Sequence, residues 1–225
     1  MDLKRNFNCW YKDVCTLSNC DGCIRYLEMK YLLDNSGIPK NRQLPITLEA
    51  GVDYDEFLRL AAVKENIDDY VNEGFNLYIT SHDTGNGKTS WAIKLLLKYF
   101  DSVWPGNGFR VRGLFVYVPT LLAQLKNFES PLSDEYKQAL LNTDLVVWDD
   151  IASTKLSEYD HAQLLSYIDS RVLNKKANIY TGNIVSLSGL QLAIGPRLAS
   201  RIWNTSLVIE FKGKDRRNGC TSDSE

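Results

Sequence analysis

The run Thr84-Gly85-Asn86-Gly87-Lys88-Thr89-Ser90 sets two glycines, a lysine and three hydroxyl side chains in close succession. Glycines let backbone N–H groups turn toward an anion. The lysine adds a positive point charge, and the hydroxyl adds an oxygen ligand for Mg2+. Together they suit a nucleoside triphosphate or diphosphate, ATP or ADP. Lys88 would reach the β and γ oxygens, and Thr89 would ligate the metal. The usual spacing, G-x-x-x-x-G-K-[ST], has a glycine where this chain has His82. That exchange asks only that the backbone at the strand exit tolerate a side chain.

Three further groups follow in order. The apolar run Leu145 to Trp148 ends in Asp149 and Asp150. Two acids at the end of a buried strand pack poorly unless they serve something at its carboxyl edge. Asp149 would hold Mg2+, and Asp150 would polarise the attacking water. The run Ala177 to Thr181 leads to Asn183, whose amide suits a bridge between the γ-phosphate and that water. Asparagine after a strand also reads as a plain turn residue. In Gly195 to Trp203, Arg197 and Arg201 lie four apart on one helical face. They read as solvated charge or salt bridges. Alternatively, Arg201 is a finger that enters a neighbouring subunit's nucleotide, where charge develops during phosphoryl transfer. Lys212, Lys214, Arg216 and Arg217 lie near the end of the chain; Arg217 is a candidate phosphate contact in cis, or part of a basic tail.

These groups need elements to hold them. Gly74 to Thr80 reads as a buried strand into the loop, and the residues from Thr89 to Phe100 carry apolar positions at helical spacing. Strand, glycine turn and helix form the context that a phosphate loop requires. Leu207 to Phe211 reads as a last strand. The expected fold is therefore α/β, a parallel sheet with helices on both faces.

The N-terminus holds Cys9, Cys15, Cys20 and Cys23, ending in C-x-x-C. Four close thiols suit tetrahedral Zn2+. An iron–sulfur cluster also fits four thiolates. The segment has too few apolar residues for its own core, so a metal would replace one. Its basic residues are offset by acidic ones, which favours a protein partner over phosphate. The next stretch, from Cys23, reads as a helix with Ile24, Leu27, Tyr31 and Leu32 on one face, ending near Pro39. Further on, Arg110, Arg112, Tyr117 and Lys126 either line a single-stranded DNA path or serve as core and surface.

With 225 residues, 44% hydrophobic, 24% charged and a net charge of -2, the chain is not a polycation. Nucleic-acid contact must then come from local patches. No apolar run is long enough for a membrane span, and no signal-peptide core opens the chain; a cytoplasmic protein is expected.

From Asp53 to Arg217 the order of elements resembles the AAA+ ATPases of the DnaC/DnaI helicase-loader type, including phage-borne DnaC-like replication proteins. The likeness rests on "TGNGKTS", "LVVWDD", "TGN" and "RLASR", and on the preceding helix "DEFLRLAAVKENIDDYV", which puts Phe57, Leu60, Ile67 and Tyr70 on one stripe. It implies Lys88 and Thr89 on phosphate and Mg2+, Asp149 on Mg2+, Asp150 as base, Asn183 as sensor and Arg201 as a finger acting in trans. It also implies a hexameric replicative helicase and single-stranded DNA as partners. The expected organisation is 1–38, a zinc module and helix gripping the helicase; 39–52, a linker; 53–217, the ATPase domain; and 218–225, a polar tail. Too little chain follows Asn183 for a full helical lid. Aspartate at 150, where glutamate is common, suggests slow, partner-stimulated hydrolysis. Two other readings share the motifs: an IstB-like transposition helper, and a nucleotide-gated helicase adaptor with little turnover.

Overall fold

A computed structural model describes residues 15–16, 23–39, 51–127, 129 and 131–213. The first strand, β1 (Asn76–Ser81), is buried along its whole length. It runs through a glycine loop into α4 (Lys88–Val103), preceded by α1 (Ile24–Asp34), α2 (Tyr54–Glu65) and α3 (Ile67–Asn72). Then come β2 (Gly113–Tyr117), α5 (Val118–Leu125), α6 (Asp134–Asn142), β3 (Leu145–Asp149), α7 (Glu158–Leu173) and β4 (Ala177–Gly182). The hairpin α8 (Leu187–Ile194) and α9 (Pro196–Trp203) leads into β5 (Ser206–Phe211).

The five strands are parallel, in the order β2-β3-β4-β1-β5. Strand side chains alternate between faces, and each face has its own core. Leu77, Ile79, Val147 and Ile179 pack with α1 to α4. Tyr78, Val146, Trp148 and Tyr180 pack with α5 to α9. The chain leaves β1 by way of α4 and passes over β4 and β3 to reach β2. The later helices bring it back along the opposite face, as right-handed crossovers require. The neighbours β1 and β4 thus send their connections in opposite directions. In such sheets a crevice opens at the carboxyl ends of those two strands.

Two local outcomes differ from expectation. The stretch before β1 is two helices, α2 and α3, broken at Asn66. The Asn66 side chain donates to the Ala62 carbonyl at 2.9 Å, competing with helix continuation. Phe57, Leu60 and Ile67 are still buried on one side. On α1 the buried residues are Glu28, Met29 and Leu32, while Ile24 and Leu27 are exposed. The Glu28 carboxylate accepts the N–H groups of Gly106 and Gly108, which draws its own side of the helix inward. Elsewhere, β2 ends at Tyr117 and Val118 directly begins α5, with Pro119 in its first turn.

The amino edge of the sheet is held by ionic contacts. Asp144 accepts from Arg112, from Lys176 at 3.1 Å and from Tyr99 at 3.0 Å. Burial raises the Asp144 carboxyl, but Lys176 and Arg112 outweigh it and hold the group below its ordinary value. Beside it, buried Arg171 donates to the carbonyls of Leu140, Thr143 and Ala177 and to Asn178 Oδ1. Burial lowers its pKa to about 10, so it stays charged at neutral pH.

Candidate functional site

The glycine loop, the acid pair and Asn183 all lie at carboxyl ends of strands, those of β1, β3 and β4. The loop after β1 turns on Gly85 (φ 75°) and Gly87 (φ 102°), and Gly87 caps α4. A Cβ at Gly87 would meet no atom within 4 Å, so the glycine is demanded by its left-handed backbone and not by space. His82 has no positive φ and its side chain is exposed. The substitution at the leading glycine is therefore tolerated without strain. The N–H groups of the first turn of α4, which begins at Lys88, have no helical acceptor, which makes the turn receptive to an anion.

Lys88 is buried. Its ammonium donates to Ser81 Oγ at 2.6 Å, Asp83 O at 2.9 Å and Asn86 Oδ1 at 3.3 Å. Ser81, unremarked in the sequence, is thus a strand-end hydroxyl that aims the lysine. Asn86 also donates to Gly213 O at 3.4 Å, at the exit of β5. Thr89 Oγ1 donates to Asp149 Oδ1 at 2.8 Å. Asp149 is 1% exposed and accepts a second hydroxyl from Thr181 Oγ1 at 2.7 Å. Oxygens of a threonine and an aspartate this close suit a hard cation such as Mg2+. Asp150 is half-buried, with φ 64°.

Asn183 follows β4 directly. Its Oδ1 is buried and has no hydrogen-bond partner. Such an atom carries a desolvation cost and marks a place where a ligand group fits. The backbone on either side of it is tied down from β1. Thr80 Oγ1 donates to Ile184 O at 2.7 Å and Gly182 O at 3.2 Å, and Tyr78 OH donates to Ile184 O at 2.8 Å. The structure therefore brings together Thr84 to Ser90, Asp149, Asp150 and Asn183.

Other candidates stand apart. Leu198, Ala199 and Ile202 bury one side of α9 and leave Arg197 and Arg201 exposed. Arg201 forms an ion pair with Asp169 on α7. Arg112 and Tyr117 lie at opposite ends of β2, and Arg112 is engaged by Asp144. Lys126 pairs with Asp160 at 2.7 Å. Of the four residues read as a DNA path, Arg112 and Lys126 are thus each paired with an aspartate, and Arg110 and Tyr117 are exposed. Cys15 and Cys23 are not disulfide-bonded. Cys9, Cys20, Arg217 and the tail 218–225, with linker residues 40–50, lie outside the described residues. Among the described residues no group of three or more metal-ligating side chains gathers, and no helix is long and apolar enough to cross a membrane.

The fold is a five-stranded parallel sheet with a glycine loop between β1 and α4, the arrangement the motifs led one to expect. No family description and no curated protein sequence matches the chain. Solved structures do. The DnaC helicase loader is similar with a TM-score of 0.64 and 23% identity, over 77% of this chain and 98% of that one. DnaI is similar with a TM-score of 0.61 and 18% identity, over 78% and 95%. AMPPCP-bound DnaA from Aquifex aeolicus reaches 0.53 and 16%, over 80% of this chain and 49% of the DnaA chain. The chain thus resembles the DnaC/DnaI type in fold.

Proposed function

We propose that the chain is an ATP-dependent loader of a hexameric replicative helicase onto single-stranded DNA. One observation supports the nucleotide half of this reading: Lys88, the Thr89–Asp149 pair and Asn183 all stand by the carboxyl ends of the neighbouring strands β1, β3 and β4. Similarity to a DnaC helicase loader over nearly the whole of that chain supports the loader half.

The roles follow from the chemistry of each group. Lys88 and the α4 N-terminus neutralise the phosphates. Thr89 and Asp149 would hold Mg2+, which would draw charge from the phosphoryl oxygens. Asp150 orients and deprotonates the attacking water, and Asn183 Oδ1 accepts a hydrogen bond from it. Arg201 leaves Asp169 and reaches the nucleotide of a neighbouring subunit. Arg201 itself is exposed, so it is free to swing outward, at the cost of its pairing with part-buried Asp169. Binding of ATP assembles subunits, and hydrolysis releases the helicase. The N-terminal segment and α1 grip the helicase. Zn2+ on Cys9, Cys15, Cys20 and Cys23 would order that segment; the thiol spacing alone supports this part.

Affinity capture of the tagged chain from its host, with and without ATP, tests the reading. Nucleotide-dependent recovery of a hexameric helicase is expected. Recovery of a transposase in its place would overturn the loader in favour of a transposition helper.

A further inference from the structure

We propose that Thr181 is a positioning residue that sets Asp149 and Asp150 for their work on Mg·ATP. The proposal rests on the nucleotide reading above. Thr181 is 2% exposed in β4. Its hydroxyl donates to Asp149 Oδ1 at 2.7 Å and accepts the Asp150 N–H at 3.0 Å. Its carbonyl accepts the Ile151 N–H at 2.9 Å. One residue thereby binds three consecutive residues of the next strand's exit.

The backbone explains why that exit needs holding. Side-chain register between β3 and β4 runs to Trp148 opposite Tyr180. Two residues on, Asp150 turns left-handed, one of three non-glycine residues with positive φ among the described residues. L-residues enter that region at a cost, though aspartate bears it better than most. In a continuing strand, two successive carboxylates would point to opposite faces. The left-handed step breaks that alternation, and the Thr181 hydroxyl holds the N–H of the residue that makes it. The same hydroxyl spends its proton on Asp149, so the acid read as the metal ligand and the acid read as the base are tied to one atom. Packing does not require this oxygen. Valine has the same shape and an equal liking for strands.

The test compares wild type with Thr181→Val and Thr181→Ser. Three quantities are read: single-turnover cleavage of ATP, affinity for a fluorescent ATP analogue in Mg2+, and thermal melting. Loss of two buried hydrogen bonds to charged or orienting groups predicts that T181V cleaves about 10- to 100-fold more slowly. Its nucleotide affinity should stay within about 3-fold, because phosphate contacts made by Lys88 and the loop are untouched. T181S keeps the hydroxyl and should recover most of the rate. T181V cleaving at the wild-type rate would overturn the proposal. So would T181S as slow as T181V, or a rate loss that merely follows a lowered melting temperature. Wild type that neither binds nor cleaves ATP would instead remove the nucleotide site itself, and this proposal with it.

Discussion

Thr89 Oγ1 lies 2.8 Å from Asp149 Oδ1, joining the first turn of α4 to the end of β3. The two residues are sixty positions apart in the chain. Parallel pairing through β4 brings them together, because β1 and β3 both flank that strand. A magnesium ion held between them would be fixed by the sheet itself and not by a mobile loop.

Asn183 is held from β1, and that arrangement makes a kinetic prediction. Thr80→Val and Tyr78→Phe each remove a hydroxyl that ties the flanking carbonyls. Turnover should fall by about 5-fold in each, with nucleotide affinity nearly unchanged, since one lost hydrogen bond is worth about 1 kcal/mol. In an Asn183→Ala background, Thr80→Val should cost no further rate. Steady-state kinetics of the single and double variants check this; full additivity would show that the hydroxyls act elsewhere.

Arg201 should act across a subunit boundary. Arg201→Ala removes the ion pair between exposed Arg201 and part-buried Asp169, so stability should drop by about 1–2 kcal/mol. ATP binding should survive and turnover should not. Lys88→Ala has an intact arginine but no working loop. Mixing the two inactive variants should restore part of the ATPase activity, because some R201A sites then face a K88A neighbour that still carries its arginine. Absence of complementation, with assembly intact, would refute the role in trans.

The sequence displayed the loop, the acid pair and the strand that leads to Asn183 because their spacing is local. A lysine after a glycine turn, or two acids after an apolar run, is read along one stretch of chain. Ser81, Thr80, Tyr78 and Thr181 gave no such signal. Each is an ordinary strand residue whose bond reaches a different strand or loop. Only the register of β1, β3 and β4 reveals what those hydroxyls do. The break at Asn66 was hidden for a different reason. The apolar stripe of α2 and α3 continues across it, so periodicity suggested one helix. The exposed face of α1 was likewise obscured, because Glu28 turns inward to bind N–H groups eighty residues away.

Acid should loosen the amino edge of the sheet. Asp144 is a stronger acid in the folded chain than an ordinary carboxyl, through Lys176, Arg112 and Tyr99. The stabilisation is therefore present in full above the unfolded carboxyl's pKa of about 3.9, and is lost as pH falls through the lower folded value. Asp144→Asn should reduce stability at neutral pH and flatten its dependence on pH in the acid range. Denaturant melts from pH 7 down to pH 2 measure both. An unchanged acid slope in the variant would assign that dependence to other carboxyls.

Isothermal titration of the purified chain with ATP in Mg2+ tests the central claim most directly. Saturable uptake of one nucleotide per chain is expected, weakened when Mg2+ is withheld and abolished in Lys88→Ala. A well-folded wild-type chain that took up neither ATP nor ADP, with or without a helicase present, would contradict it.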